Sequence, residues 1–374
     1  MRYPKFLPEN GTMGFVAPSF GCSTEPYHSA FLNGQKKWEE MGYRFDFGPN
    51  CYAGEGVGIS NTPELCAKEL MDYYCSEQND CLISCGGGEL MCEVLSHMDF
   101  EKIKAAEPKW YMGYSDNTNF TYLLATLCDT ASVYGPCGAN FGMEPWHESL
   151  GDAMGILTGK GCRKEELNRS AQEQEGLPHW CTEVRTYGTW EKESLKTEAT
   201  PLVPYNLTEK TVIRSFLGSR EITGKGIPVT FQGRLLGGCM DILVNLLGTR
   251  FDRTTEFIEK YKEDGIIWFL EACDLNVFSI RRAMWQMEEA GWFRYVKGFL
   301  IGRPYCFGEE MMGLDQYQAV LKVAGEKNVP VIMDVDIGHL APMMPIVVGS
   351  MGEVTLQNDG VQEGDNLSLK MHFI

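Results

Sequence analysis

The chain has 374 residues, of which 44% are hydrophobic and 22% are charged, so it is long enough to form two domains with buried cores. Its formal net charge of −18 repels phosphate backbones and anionic membrane surfaces, which argues against a nucleic-acid polymer or a membrane as partner. A small anionic substrate stays compatible with this charge, because a local pocket can differ from the average.

The fourteen cysteines are best explained as reduced, core-filling residues. Residues 1–10 contain no apolar stretch of the kind found in secretory signals, and no apolar run reaches the 18 or more residues that a membrane span needs. We therefore expect a cytoplasmic protein. No C-x-x-C pair occurs, and the nearest spacing is Cys81 to Cys85, so we expect no zinc site. We also expect no other metal and no cofactor.

The first 140 residues alternate between short apolar runs and helical patterns, which predicts a mostly parallel sheet with helices on both faces. One helix is expected to begin at Thr62, an N-cap candidate that is followed by Pro63. The predicted strands lie at 13–18, 43–47, 81–85 and 109–114, and the predicted helices lie at 29–41, from 62 onward, at 90–98 and at 119–127.

A glycine turn at residues 85–89 lies between a predicted strand and a predicted helix. The spacing of its glycines fails the dinucleotide fingerprint, which disfavours a nucleotide-dependent oxidoreductase. We interpret the turn as backbone that approaches a ligand, with the Gly88 N–H as an oxyanion donor and with Gly87 and Glu89 as substrate contacts. The alternative is a plain tight turn.

Ser115 falls on a second strand-to-helix turn, within the sequence Gly-Tyr-Ser-Asp-Asn. This geometry exposes a hydroxyl at the carboxyl edge of a sheet and places the next N–H groups, such as that of Asp116, at a helix N-terminus. The usual nucleophile elbow has a second glycine where this chain has Asn117. The pattern thus predicts a nucleophile, and the alternative is that Ser115 only caps a helix.

Residues 162–196 are charged and weakly periodic, and we interpret the segment 166–200 as a linker or insertion loop. Trp180 and Trp190 within it are candidates for substrate contact, and the alternative is that they anchor the loop to the body. The predicted domains are then 1–165, which carries the nucleophile, and 201–374. The second unit has predicted strands at 227–231, 265–270, 298–301, 329–333, 346–348 and 354–356, and predicted helices at 240–247, 254–261, 277–290 and 316–326.

Two residues of the second unit suit the chemistry of Ser115. Glu271 directly follows an uncharged run, so this carboxylate lies near low-dielectric surroundings and needs a partner; a surface position at a strand exit is the alternative. Of the six histidines, only His339 follows both a strong predicted strand and a glycine. It is therefore the best candidate for a general base, with Glu271 as its orienting acid.

With these residues assembled, the chain resembles the LD-carboxypeptidase family of serine peptidases, and within it the microcin C self-immunity branch most closely. The resemblance covers nearly the whole chain and rests on short motifs that occur in the right order and at the right spacing. These motifs are the glycine turn, Met98-Asp99-Phe100, Gly113-Tyr114-Ser115-Asp116, Tyr134-Gly135-Pro136, residues 233–238, Leu247-Gly248-Thr249, Phe269-Leu270-Glu271, Arg281-Arg282 and Gly338-His339.

The resemblance implies a fold and a set of roles. The fold is an N-terminal parallel α/β domain of three layers joined to a smaller C-terminal β-rich α/β domain, with the active site in the cleft between them. Ser115 would be the nucleophile, Glu271 the acid and His339 the base, and the N–H groups of Gly88 and Asp116 would form the oxyanion hole. The family also implies a homodimer without metal. The chain departs from the family at Cys239, which replaces the usual Asn, and at Ala272, which replaces the usual Asp.

The expected function is that of a serine carboxypeptidase that cuts the L,D bond to the terminal D-alanine of murein tetrapeptides. One alternative is a microcin C-like immunity peptidase, whose substrate is an aminoacyl- or peptidyl-nucleotide; the segment at 160–200 leaves room for base stacking by its tryptophans. The second alternative is a sensor of cell-wall fragments that has lost catalysis.

Overall fold

The computed structural model describes residues 1–166, 178–223, 228–357 and 367–374. Up to residue 166 the elements are β1 (Thr12–Val16), α1 (Tyr27–Glu40), β2 (Arg44–Phe47), α2 (Pro63–Cys75), β3 (Cys81–Ser84), α3 (Met91–Val94), α4 (Phe100–Ala105), β4 (Trp110–Gly113), α5 (Thr118–Thr126), β5 (Ser132–Tyr134), α6 (Glu148–Thr158) and β6 (Cys162–Glu166). From residue 178 they are β7 (Pro178–Arg185), β8 (Thr189–Trp190), β9 (Glu209–Lys210), β10 (Arg214–Leu217), β11 (Arg220–Glu221), β12 (Val229–Cys239), α7 (Met240–Leu246), α8 (Thr254–Lys260), β13 (Ile266–Glu271), α9 (Val277–Glu289), β14 (Val296–Gly302), α10 (Gln316–Ala324), β15 (Pro330–Val335), β16 (Ile346–Val348), β17 (Met351–Leu356) and β18 (Leu367–Phe373).

The first sheet has six strands in the order β16-β5-β4-β3-β1-β2. Strands β1 to β5 pair in parallel, as the alternating pattern predicts, and β16 adds an antiparallel edge beside β5. Because β16 comes from residues 346–348, the first sheet is completed by a segment that the sequence assigned to the second domain. The two halves of the chain are therefore interleaved.

Helices cover both faces of the first sheet, as predicted. On one face, Leu82 and Tyr111 belong to a cluster with Leu70 of α2 and Phe120 of α5. The opposite face belongs to the larger core cluster, which contains side chains of α1 and α6. Helix α2 begins as predicted, because the Leu65 N–H donates to the Thr62 hydroxyl at 3.4 Å.

The second sheet has ten strands in the order β11-β10-β15-β14-β13-β12-β17-β18-β7-β6 and is the larger of the two. Its centre, β12 to β15, is parallel, and the flanking strands pair antiparallel. The parallel strands are buried on both faces, which explains the uncharged run before Glu271. The fold is thus mixed α/β, with a parallel-sheet domain and a β-rich domain.

The segment that the sequence assigned to a loop differs from that prediction wherever it is described. Strand β7 pairs with β18 and with β6, so residues 178–185 belong to the second sheet. Residues 189–190 form β8, which pairs with β9 in a separate two-stranded sheet. The pattern hid these strands because β6 has charged residues at four successive positions, 163–166, and β7 includes Glu183 and Arg185. Residues 167–177 of the expected loop lie outside the described residues.

The fourteen cysteines are all described and free, and ten of them are buried. The interpretation of the cysteines as core-filling residues is confirmed for these ten. In the described part of the chain, no helix has both the length and the apolar character that a membrane crossing requires.

The carboxyl ends of the two parallel sheets face each other. Cys239, the last residue of β12, donates its N–H to the Thr118 hydroxyl at the start of α5, at 3.1 Å. A Cβ on Gly238 would lie only 2.7 Å from the Thr118 side chain, so the glycine permits this close approach. Side chains at the ends of β4, β13 and β15 can therefore meet in one cleft.

Candidate active site

Ser115 lies two residues after the end of β4 and opens a short 3₁₀ turn that leads into α5. Its φ of +61° lies in the left-handed region, which a non-glycine residue seldom occupies and which is typical of a nucleophile held on a sharp turn. A Cβ on Gly87 would lie 3.2 Å from the Ser115 Cβ, so the glycine turn runs immediately beside the hydroxyl. The structure therefore brings the glycine turn and the serine turn together.

The imidazole of His339 joins Ser115 to Glu271. Its Nε2 lies 2.8 Å from the Ser115 Oγ, and its Nδ1 lies 2.9 Å from the Glu271 Oε2. In the neutral ring with the proton on Nδ1, this nitrogen donates to the carboxylate and leaves Nε2 to accept from the serine hydroxyl. Tyr114 packs against the same ring at 5.2 Å between centroids.

Glu271 is fully buried at the end of β13, so the prediction of a carboxylate in low-dielectric surroundings is confirmed, and the alternative of an exposed strand exit is wrong. Its second oxygen, Oε1, accepts from the Tyr134 hydroxyl at 2.6 Å. A Cβ on Gly338 would lie 2.4 Å from Oε2, and the φ of this glycine is +103°. The Gly-His pair therefore lets the histidine loop pass directly over the carboxylate.

Each member of this buried pair shifts the pKa of the other. Burial by itself would lower the pKa of His339, but the Glu271 carboxylate and the neighbouring Cys273 outweigh it and raise that pKa well above 6.5. Burial by itself would raise the pKa of Glu271, but His339 and the hydrogen bonds from His339 and Tyr134 hold it below its usual value. The pair is thus arranged to hold an imidazolium against a carboxylate.

Asp116 links the serine turn to the glycine turn through its buried side chain. Its carboxylate accepts from the Ser19 hydroxyl at 2.6 Å and from the Met91 N–H at 2.9 Å. Burial raises the pKa of Asp116 to about 6. Its N–H belongs to the first turn of a helix, where backbone donors have no partner within the helix.

Gly88 lies against the loop that follows β1, because a Cβ at this position would lie 2.2 Å from the Ser19 Oγ and 3.1 Å from the Phe20 nitrogen. The Phe20 N–H donates to the Gly87 oxygen at 2.8 Å, which fixes the glycine turn. Glu89 is exposed beside this turn. These contacts explain why the turn needs glycine at two successive positions.

Trp180 and Trp190 both pack against side chains of neighbouring strands and loops. Trp180 lies on β7, where its ring meets Phe6 edge to face at 5.0 Å, and Lys164 lies over it. Trp190 is buried; the Arg303 guanidinium lies 4.9 Å from its ring centre, and its indole N–H donates to the Lys210 oxygen at 3.1 Å. The buried Trp190 therefore anchors its strand to the body, which was the alternative interpretation, and Trp180 packs on Phe6 while its side chain stays partly exposed.

Several residues that hold the site escaped the sequence reasoning. The buried Arg303 guanidinium pairs with Asp336 on the loop between β15 and His339, and the Asp336 carboxylate also accepts the Tyr187 N–H at 2.5 Å. This pairing and the Tyr134 bond to Glu271 fix the histidine loop and the acid. The signals available were a tyrosine at the end of the short buried strand β5 and an aspartate directly after β15. From the sequence alone, neither can be told from an ordinary structural residue.

Glu165, Cys181 and His372 bring ligand-type atoms within 4.8 Å of one another, on strands that do not carry Ser115, Glu271 or His339. Glu165 is already paired with Lys370 at 2.5 Å and with Arg163 at 2.8 Å, and these cations hold its pKa at about 2. Two resident cations oppose the approach of a metal ion. We interpret this cluster as an ion-pair network across β6, β7 and β18.

Two family models match the segments that carry the site. The LD-carboxypeptidase N-terminal domain matches residues 13–135, which include the glycine turn and Ser115. The LD-carboxypeptidase C-terminal domain matches residues 232–354, which include Glu271 and His339. Together the two models cover more than half of the chain.

Individual proteins are similar over almost the full length. A protein of Treponema pallidum (strain Nichols) named "Putative carboxypeptidase" is 21% identical over 346 residues, which is 91% of this chain and 88% of that protein. The MccF-like protein from Bacillus anthracis str. Ames has a TM-score of 0.76 at 19% identity, with 99% of each chain covered. The Microcin C7 self immunity protein MccF in complex with aspartyl sulfamoyl adenosine has a TM-score of 0.74 at 19% identity, with 100% of this chain and 99% of that chain covered. These two structures establish the fold.

Proposed function

The chain belongs to the LD-carboxypeptidase family of serine peptidases, and from this membership we propose that it hydrolyses a peptide or amide bond near the C-terminus of a small substrate. Ser115, His339 and Glu271 are the proposed triad. The observation that carries the proposal is the continuous hydrogen-bond chain from the Ser115 Oγ through both nitrogens of His339 to the buried Glu271.

In the proposed mechanism, His339 accepts the Ser115 proton on Nε2 as Oγ attacks the scissile carbonyl carbon. Glu271 holds the ring in the required tautomer and stabilises the imidazolium. The N–H groups of Gly88 and Asp116 would receive the negative charge of the tetrahedral oxygen. His339 then protonates the leaving amine, and water releases the acyl group by the same steps.

The proposed substrate is a murein tetrapeptide, from which the enzyme releases the terminal D-alanine at an L,D bond. The alternative is an aminoacyl- or peptidyl-nucleotide, and it is favoured by the similarity to a solved protein whose complex holds aspartyl sulfamoyl adenosine. Incubation with each substrate and mass spectrometry of the products distinguishes the two. We also propose that the protein is a homodimer, which light scattering tests directly.

The test of the mechanism is labelling by a fluorophosphonate, which reacts with an activated serine and needs no knowledge of the substrate. We expect labelling at Ser115 and its loss in Ser115→Ala, with turnover of the true substrate lowered by several orders of magnitude because no other group can attack. Circular dichroism shows whether the variant keeps the native fold. A chain that stays unlabelled would instead favour the sensor of cell-wall fragments, and full activity in Ser115→Ala would remove the mechanism.

A further inference from the structure

Residues 191–206 cross the cleft between the two halves of the site, and we call them the cleft arm. At its start, the Glu191 N–H donates to the Ala341 oxygen at 2.6 Å, two residues beyond His339. Near its end, the Leu202 oxygen accepts from the Glu144 N–H at 2.8 Å. The cleft arm is thus fixed to the histidine loop at one end and to the N-terminal domain at the other.

Lys196 extends from the middle of the cleft arm toward the glycine-turn side. Its Nζ lies 5.7 Å from the centre of the Tyr27 ring, at the start of α1. The loop before Tyr27 packs on the strand end that leads into the glycine turn, since the Cys22 Sγ contacts the Cys85 oxygen at 3.7 Å and the Phe20 N–H donates to the Gly87 oxygen. The ammonium group therefore faces the wall of the cleft that carries the proposed oxyanion donor.

The charge of Lys196 is poorly compensated. Within the described ranges Lys196 forms no direct ion pair, and its Nζ faces the Tyr27 ring instead. Burial lowers its pKa, a shift that Cys22 and Glu191 only partly oppose. Arg303, by contrast, is matched by Asp336. A half-buried ammonium that Glu191 stabilises only from a distance gains a direct partner when a ligand supplies an oxyanion.

We propose that Lys196 binds an anionic group of the substrate, a carboxylate or phosphate oxygen, on the glycine-turn side of the cleft. This inference rests on the proposed function, because it assigns a substrate contact to that same site. A peptide cut by a carboxypeptidase carries a free terminal carboxylate, and an aminoacyl-nucleotide carries a phosphate. Both present the same acceptor to an ammonium donor, so the geometry assigns the chemistry of the group and the experiment identifies its source.

The experiment measures affinity by calorimetry in the Ser115→Ala protein, which cannot turn ligands over. The ligands are a murein tetrapeptide, the same peptide with its terminus amidated, and adenosine monophosphate. Lys196→Met keeps the length of the side chain and removes its charge, and Lys196→Arg restores the charge. Lys192→Met removes a charge from an exposed position of the same arm and is the matched control.

We expect Lys196→Met to weaken the binding of the tetrapeptide or the nucleotide about tenfold or more, as for a charge-assisted hydrogen bond, with Lys196→Arg and Lys192→Met within about twofold of the parent. A loss confined to the free-acid peptide identifies the terminal carboxylate, and a loss confined to the nucleotide identifies the phosphate. Equal affinities of Lys196→Met and Lys192→Met, or no binding of either anion, would overturn the proposal. Fluorophosphonate labelling of the unmutated protein tests the proposed function separately, since that probe reports the serine alone.

Discussion

At the scale of single residues, the site depends on how one carboxylate is surrounded. Glu271 is fully buried, yet both of its oxygens have partners, His339 on one side and Tyr134 on the other. The Tyr134 hydroxyl also lies 3.4 Å from the Ser115 nitrogen, so it contacts the acid and the serine turn at once. A buried charge satisfied in this way can stay ionised, which an orienting acid requires.

The contact between Glu271 and His339 should determine how the reactivity of Ser115 depends on pH. Because the Glu271 carboxylate raises the pKa of His339 well above 6.5, the proposed base stays protonated and inactive to a higher pH than an ordinary histidine. We expect the rate of fluorophosphonate labelling to rise with pH through a midpoint above 6.5. In Glu271→Gln the attraction is lost, so the midpoint should move to lower pH and the maximal rate should fall. An unchanged midpoint in Glu271→Gln would show that the carboxylate does not control the histidine.

The residues of the proposed triad could be selected from the sequence because each lies at the end of a predicted apolar strand or directly follows a glycine. Tyr134 and Asp336 could not, because a tyrosine or an aspartate near a strand end is common and its role depends on what lies opposite. Their partners, Glu271 and Arg303, are far away in the chain, and only the fold brings them into contact.

At the scale of elements, the loop between β15 and β16 must hold His339 against the end of β13. Gly338 is central to this, since its positive φ and the 2.4 Å approach of the Glu271 Oε2 to its would-be Cβ leave no room for a side chain. Gly291 has a similar positive φ of +79°, but a Cβ there would meet nothing within 4 Å. Comparing an alanine substitution at each glycine therefore distinguishes the effect of backbone strain alone from the effect of a steric clash with Glu271.

We expect Gly338→Ala to lower fluorophosphonate labelling by about a hundredfold or more, because a displacement of the base by even 1 Å has an effect of this size. Gly291→Ala should lose about 1 kcal/mol of stability through strain alone and should keep its labelling rate. Urea unfolding of both variants measures the strain, and the labelling rates measure the site. Equal labelling of the two variants would mean that the loop can move without harm to the triad.

The features of the fold that the sequence did not predict share one property, which is that they depend on distant partners. Strand β7 carries alternating polar residues, so its pattern resembles a charged loop until β18 and β6 pair on either side. Residues 346–348 are predicted as a strand and form β16, but nothing in their sequence says that this strand joins β5 in the first sheet. By contrast, β13 and β15 are nearly uniform apolar runs, and the sequence predicts them correctly.

At the scale of the whole molecule, several carboxyl groups are buried inside a chain that already carries a net charge of −18. Burial raises the pKa of Glu69 to about 7, and the pKa values of Asp116 and Asp334 to about 6. Glu69 accepts the N–H groups of Ala17 and Asn50, both at 2.8 Å, so its side chain joins the loops after β1 and β2. The stability of the fold should therefore depend on the protonation of these buried acids.

The raised pKa values of these acids make the free energy of unfolding depend on pH. In the unfolded chain these groups lose their protons near pH 4, whereas in the folded protein they keep them up to about pH 6 or 7. Above pH 4 the folded state therefore binds more protons than the unfolded state, and the free energy of unfolding falls as the pH rises through the folded values. Repulsion within the acidic chain acts in the same direction, but salt screens it.

We therefore expect the melting temperature to fall between pH 5.5 and pH 8, and part of this fall to persist in 1 M salt because buried groups are little screened. Glu69→Gln removes one of the titrating groups and should flatten the dependence, although it also replaces one acceptor oxygen and lowers stability at pH 5.5. Glu198→Gln, at an exposed position, is the matched control and should leave the slope unchanged. A melting temperature that rises across this range, or a slope that Glu69→Gln leaves intact, would show that the buried acids are ionised throughout and that their hydrogen bonds outweigh their burial.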